Sequence, residues 1–304
     1  MTLLNTDVVS ELSSVRDWIR WGASEFQRAR LFFGHGTDNA WDEAAQLVLW
    51  VIQTPWERLG SILDTRLVSA EKRRVLELFQ RRIQERLPAP YLTGTSLFAG
   101  LEFEVTRDTL IPRSPIAELI EQGFQPWLTE EPAKILDLCT GNGCIGIAAA
   151  LAFPDAEVDL SDLSAAALEV ARRNISRHGL AGRARAIESD LFQRISGVYD
   201  LIISNPPYVD AEDMAALPAE FHAEPALALA SGTDGLDFTR RLLREAASHL
   251  VDGGILIVEV GNSAEALEES LPGVPFTWLE FERGGHGVFL LTRQQLVAHS
   301  ADFI

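Results

Sequence analysis

Two short stretches hold residue types from which chemistry could be built. The first is Thr140-Gly141-Asn142-Gly143-Cys144-Ile145-Gly146, directly after the apolar run "KILDLC" that starts at Lys134 and ends at Cys139. Glycines let a backbone approach a nucleoside closely, and Asp162, 21 residues beyond Gly141 at the end of the next apolar run, is spaced to accept both hydroxyls of a ribose. This is a formal match to a dinucleotide fingerprint, but the physics specifies a nucleoside and not a nicotinamide. Asp137, four residues before the first glycine, tilts the choice. A carboxylate there would stand close to a pyrophosphate held at the helix start, whereas it suits a ligand carrying a cationic group. S-adenosylmethionine carries an ammonium and a sulfonium.

The second stretch is Ile202-Ile203-Ser204-Asn205-Pro206-Pro207-Tyr208-Val209-Asp210. The run "YDLII" (Tyr199 to Ile203) leaves its strand through an amide and two consecutive prolines, where a single breaker would serve. Proline fixes its own φ and drives the preceding residue out of the α region, so Asn205 and Pro206 are both held extended. The Asn205 side-chain oxygen and the Pro206 carbonyl are then a rigid pair of acceptors for the two hydrogens of a planar –NH2, with the ring of Pro207 or Tyr208 on its flat face. Such a pair orients a poor nitrogen nucleophile toward a methyl donor. A planar amine on a nucleobase and a side-chain amide both fit it.

Elements that must position these residues are legible around them. Up to about residue 88, apolar residues recur at spacings of three and four, as in "VVSELSSVRDWIRWGASEF", "DNAWDEAAQLVLWVI" and "SAEKRRVLELFQRRIQERL", which predicts a helical bundle. Thr54-Pro55-Trp56-Glu57 has the spacing of a capping box at a helix start. Pro88 and Pro90 end the bundle, and "SLFAGLEFEVT" alternates around Gly100 like a hairpin. From Lys134 strands alternate with helices predicted over 145–153, 165–178, 236–250 and 264–271, with closing strands "FTWLEFE" and "HGVFLLT". Strand, helix, strand at this spacing implies a parallel sheet covered on both faces. The expected organisation is a helical substrate-recognition domain over 1–90, a linker with a β-hairpin over 91–112, and a catalytic domain over 113–304.

Composition narrows the classes. With 304 residues and 47% hydrophobic content the chain has room for a real core, and no apolar run approaches the ~18 residues of a membrane span. The start "MTLLNTDVVSEL" carries acids where a signal peptide would carry bases, so a cytoplasmic location is expected. Cys139 and Cys144, the only cysteines, predict neither a disulfide nor a metal site. The net charge of -18 is uneven: residues 1–95 hold 12 basic and 12 acidic side chains, residues 96–304 hold 14 and 32. Such a surface repels phosphate backbones and attracts basic partners, so sequence-specific nucleic-acid binding is not expected.

"SNPPYVD" following such a core resembles the HemK/PrmB family of protein-glutamine methyltransferases, and the similarity runs from the helical block to Thr292. The motifs "TLIPRSPIAELI", "ILDLCTGNGCIGIA", "SDLF", "NPPYVDAEDM", "EPALALASGTDGLDFTRRLL", "EVGNS" and "GGHGVFLLT" carry it, in order. They look closer to the branch that methylates the third protein of the large ribosomal subunit than to the branch acting on release factors. The latter usually has Arg-Pro-Glu/Asp-Thr-Glu where this chain has Arg113-Ser114-Pro115-Ile116-Ala117-Glu118, and glycine at Cys139.

The resemblance implies an α/β fold of the class I S-adenosylmethionine-dependent methyltransferases, a Rossmann-like seven-stranded sheet that is mostly parallel with an antiparallel closing strand. It implies that Cys139, Thr140, Gly141, Asn142 and Gly143 line S-adenosylmethionine, that Asp162 with Leu163 takes the ribose, and that Asp190 and Leu191 flank the adenine. Asn205, Pro206, Pro207 and Tyr208 would hold the glutamine, with Phe98, Arg113, Ser114 and Pro115 near it. The partner implied is a basic large-subunit protein, free or in an assembly intermediate. Release-factor methylation, adenine amine methylation, a nicotinamide oxidoreductase and an inert assembly factor stand as alternatives.

Overall fold

The structure is a computed structural model that describes residues 7–303. The chain forms two compact units, one of Met1–Ser96 with Pro218–Ala223 and one of Leu97–Leu217 with Glu224–Ile304. Among the described residues no helix is long and apolar enough to cross a membrane.

In the first unit, the helix Val15–Arg28 starts at a capping box in which Ser14 Oγ accepts from Asp17 N (3.2 Å) and Asp17 accepts from Ser14 N (2.9 Å). Asn39 caps Ala40–Val51, and Glu71 accepts from Val68 N at the start of Ser69–Gln84. These helices bury Trp18, Ile19, Phe26, Leu47, Leu78 and Phe79 completely or nearly so. Gly22 is required where the helices meet, since a Cβ there would lie 2.3 Å from the Phe79 ring. The expected capping box at Thr54 does not form: its hydroxyl turns back to the Ile52 carbonyl (3.2 Å), and only a 3-10 turn, Trp56–Arg58, precedes the short helix Leu59–Ile62.

This unit also buries a charge cluster. Arg82, fully buried, pairs with Glu43 and Glu220 and donates to the Phe32 carbonyl (2.8 Å). Glu220 in turn accepts from Phe32 N (3.1 Å) and pairs with Arg86 (3.0 Å). The adjoining Phe221 packs on Phe32 and His35.

The hairpin strands are β1 (Thr95–Phe98) and β2 (Leu101–Glu104), turning at Gly100 with φ +74°. The main sheet comprises β3 (Lys134–Leu138), β4 (Glu157–Asp162), β5 (Ala184–Glu188), β6 (Tyr199–Ser204), β7 (Leu250–Glu259), β8 (Thr277–Trp278) and β9 (Val288–Thr292). Its order is β5-β4-β3-β6-β7-β9-β8, parallel from β5 to β7, with β9 antiparallel to both neighbours. The core strands are continuous apolar runs because helices cover both faces, giving one cluster around Ile135, Leu160 and Ile203 and another around Leu136, Ile202 and Leu256. The closing run "FTWLEFE" pairs only over Thr277–Trp278, after which Leu279 N makes one more bond to Val288 O and the chain loops out through Gly284, Gly285 and Gly287. A helix not anticipated, Arg293–Ala298, follows β9, started by a capping box between Thr292 and Gln295.

Candidate functional site

Strand order reverses between β3 and β6, and ligand crevices in open parallel sheets lie beyond the carboxyl ends of the strands at that point. A cavity of about 330 Å³ opens there, within the size range of small-molecule sites. The glycine segment and the ledge leave β3 and β6 side by side at its rim.

The glycine segment is shaped by its turn. Cys139 stands at φ +58° and Gly141 at +56°, and Gly143 at +87° begins the helix Cys144–Ala152. Gly146 is needed for close packing, because a Cβ there would lie 2.9 Å from Asp137 Oδ2. That same oxygen accepts from Thr140 Oγ1 and Gly146 N (2.8 Å), so Asp137, completely buried, braces the loop from beneath. Its other oxygen has no partner. Burial, with the Asp162 charge adding to it, pushes the Asp137 carboxyl up to about 7 against the two hydrogen bonds. From the far side Asn174 locks the turn, donating to Asn142 O (2.9 Å) and Glu104 O (3.0 Å).

Asp162 ends β4 against this loop, accepting from Gly141 N (2.9 Å) and Ser164 N (2.8 Å); burial raises its pKa despite them. Asp190 is held by Arg241, whose Nη2 lies 2.9 Å from both carboxylate oxygens. Leu191, at φ +47°, is buried beside it. Burial pushes the Cys139 thiol well up, so it faces the cavity as a neutral group.

The ledge is fixed at both ends. Ser204 Oγ donates to Leu138 O (2.9 Å) before it, and Ser263 Oγ donates to Tyr208 O (2.8 Å) after it. Between them Asn205 Oδ1 is buried in the cavity wall without a partner. An unpaired buried acceptor costs about 1–3 kcal/mol unless something completes it. On the facing segment Arg113 makes a fork to Glu224 (2.7 and 2.8 Å), which also accepts from Ile111 N (3.0 Å). Ser114 Oγ and Tyr208 Oη converge on Glu259, at 2.5 and 3.0 Å.

The cavity wall thus brings together Cys139, Thr140, Gly141 and Asn142 with Asp162, Leu163, Asp190 and Leu191, and these with Asn205, Pro207, Arg113 and Ser114. Asp137, Gly143, Pro206, Tyr208 and Pro115 stand behind it. Phe98 is buried on Phe103 in the core near the hairpin. Arg241, Glu224, Glu259 and the wall segment Pro225–Gly232 stand in motifs that carry the resemblance, "EPALALASGTDGLDFTRRLL" and "EVGNS", but the sequence assigned them no place in the site. Glu259 did leave a signal of the same kind as Asp137: one carboxylate inside an apolar strand, "ILIVEV".

The residues fit S-adenosylmethionine. The cavity suits its size, an acid ends the second parallel strand, apolar side chains of Leu163, Leu191 and Phe238 line one part, and Asn205, whose side-chain oxygen is buried and unpartnered, belongs to the wall. Among the described residues no His/Cys/Asp/Glu group could hold a metal ion.

Comparison with known proteins shows what the chain is similar to. The methyltransferase small domain family matches residues 124–234. A ribosomal protein uL3 glutamine methyltransferase of Francisella tularensis is 46% identical over 300 residues, 98% of this chain and 96% of the relative. A protein of the same description from Neisseria meningitidis is 48% identical over 297 residues, 97% and 98% of the two chains. Among solved structures, a methyltransferase from Pyrococcus furiosus is 21% identical, covering 64% of this chain and 89% of its own, with a TM-score of 0.47.

Proposed function

Because this chain belongs to the family of ribosomal protein uL3 glutamine methyltransferases, we propose that it methylates the side-chain amide nitrogen of a glutamine in uL3 at the Asn205–Tyr208 ledge, using S-adenosylmethionine. The observation that carries the site reading is the buried, unpartnered Asn205 Oδ1.

S-adenosylmethionine, when bound, supplies an electrophilic methyl carbon. Asp162 would hold its ribose, Asp190 and Leu191 its adenine, and the loop from Cys139 to Gly143, braced by Asp137, its amino-acid portion. Asn205 Oδ1 accepts one amide hydrogen and the Pro206 carbonyl the other, which fixes the plane of the amide and turns its nitrogen toward the cavity. Two fixed acceptors raise electron density at the nitrogen as well as orienting it, and placement of this kind contributes about 3 kcal/mol or more per group. A nitrogen that has just gained a methyl group is strongly acidic, so its proton leaves to solvent without a dedicated base. Proline at 206 and 207 removes two backbone donors that would otherwise compete for these acceptors. The working location is the cytoplasm, where ribosomal protein is available before or during subunit assembly.

The test is transfer of labelled methyl to purified uL3 and, separately, to assembly intermediates, release factors and RNA. Wild-type protein should label uL3 on one glutamine, and Asn205→Ala should lower kcat about 100-fold or more, the scale of losing one placed polar group, while still binding S-adenosylmethionine in calorimetry. Labelling confined to release factor, or to adenine in RNA, would overturn the substrate assignment.

A further inference from the structure

Glu259 takes no part in the chemistry above, yet it closes the site from behind. It is the last residue of β7, 5% exposed, between Val258 and Val260, where an apolar residue would avoid the cost of burying a carboxylate. Each of its oxygens takes one hydroxyl: Tyr208 Oη at 3.0 Å, from the end of the ledge, and Ser114 Oγ at 2.5 Å, from the facing segment. Burial raises the Glu259 pKa against the Ser114 and Tyr208 hydrogen bonds and the Arg113 charge; when ionised it only accepts, and both hydroxyl hydrogens are then committed to it. Ser114 Oγ then uses a lone pair to accept from Ile116 N (3.2 Å), which fixes the segment at the start of the helix Ile116–Glu121.

Glycine backbone packs closely against the tyrosine. A Cβ on Gly261 would come 2.6 Å from the Tyr208 ring, and one on Gly235 would come 2.2 Å from the Tyr208 carbonyl. Gly287 closes over Gly261 in turn, its carbonyl accepting from Val260 N (2.7 Å). Gly261 thus makes room for the ring whose hydroxyl is aimed at the carboxylate, while Gly235 makes room for the Tyr208 carbonyl and Gly287 for the Gly261 backbone. That concentration of close contacts goes beyond what a strand exit requires.

We propose that Glu259 is a positioning residue for methyl transfer: its carboxylate ties Tyr208 to Ser114 and so sets the width of the slot, between ledge and facing segment, in which the amide is held. The proposal rests on reading Asn205–Tyr208 as the holder of the amide. Glu259→Gln keeps size and burial but presents one acceptor and one donor, so one of the two hydroxyls must reverse or lose its bond.

Steady-state kinetics on uL3, calorimetry with S-adenosylmethionine and thermal melting test it together. The expected result for Glu259→Gln is a fall in kcat of about tenfold or more, as small misplacements produce, with the dissociation constant for S-adenosylmethionine within about twofold and the melting temperature little changed. Tyr208→Phe should lower kcat as well, and the double variant should lose little beyond the worse single, because both act through one link. An unchanged kcat in Glu259→Gln with an active wild type overturns this proposal alone. So does a joint fall of kcat, cofactor affinity and melting temperature, which marks a purely structural group, or strictly multiplicative losses in the double variant. A wild type that never methylates uL3 overturns it together with the function on which it rests.

Discussion

At the scale of single residues the carboxylates divide by what burial does to them. Asp137 keeps its proton to about pH 7 because it is enclosed, with the Asp162 charge nearby and only Thr140 and Gly146 opposing. The unfolded chain releases that proton near pH 4. The native state therefore binds more protons between about pH 4 and 7 and loses stability as pH rises through that window. Asp137→Asn, which is neutral throughout and can still accept from Thr140 and Gly146, removes this slope. The melting temperature of the variant minus that of wild type should climb from pH 4 to pH 7 and flatten above it; a difference that stays constant would show that Asp137 is ionised throughout. Legibility followed chemistry here. Asp162 and Asn205 could be picked from the sequence because their types and spacings answer to ligand groups. Asp137 was legible as an oddity in an apolar run, but whether its carboxylate faces a ligand or the loop depends on the turn that follows, and the φ +58° of Cys139 is not written in its side chain. Arg241 and Glu224 stand in a motif of the resemblance, but their roles are not legible there, since each acts on a partner 51 or 111 positions away.

At the scale of elements, periodicity found the three long helices of the first unit and the parallel strands, because each buries a stripe or a face whose spacing is fixed by backbone geometry. It failed where neighbours decide. Thr54 has a better acceptor in Ile52 O than a helix start would give it, and "FTWLEFE" stops pairing once its glycine-rich return pulls away from β9. The segment Pro218–Ala223 could not be read at all: it is short, lies more than a hundred residues from the bundle it completes, and joins it through Glu220 on Arg82, Arg86 and Phe32 and through the Phe221 ring. That pairing gives a prediction. Arg82 is fully enclosed with two carboxylates, so Arg82→Met strands Glu43 and leaves Glu220 with Arg86 alone. Breaking a buried pair this way costs about 3–5 kcal/mol. Five of the seven tryptophans, at 18, 21, 41, 50 and 56, belong to this unit, so urea unfolding followed by tryptophan fluorescence reports it directly. A loss below about 1 kcal/mol would mean that Arg86, at 3.0 Å from Glu220, suffices for the cluster.

At the scale of the whole molecule the acidic excess is set by composition alone, and it lies in residues 96–304, with 14 basic against 32 acidic side chains. Inside the cavity wall some of that charge is already balanced: Arg241 answers Asp190, and Glu224 answers Arg113. Much of the rest is on exposed side chains, where single ion pairs contribute little to stability, so its consequence is a field rather than a set of bonds. A negative field speeds encounter with a basic ribosomal protein and slows encounter with RNA. It acts over roughly one Debye length, about 10 Å at 0.1 M salt and less as salt is added. A methyl donor bound in the cavity would meet charges at contact distance, Asp162, Asp190 and Arg241 among them, which salt screens far less than the surface field. Raising salt from 50 to 300 mM should therefore increase KM for uL3 several-fold while leaving kcat nearly constant and moving KM for S-adenosylmethionine by less than about twofold, as expected when charge governs association more than chemistry. Steady-state titrations at fixed ionic strengths separate these quantities. A KM for uL3 that ignores salt would mean that short-range contacts select the substrate and that the acidic surface serves solubility alone, whereas a kcat that falls with it would move the electrostatic contribution from encounter into the placement of the amide on the ledge.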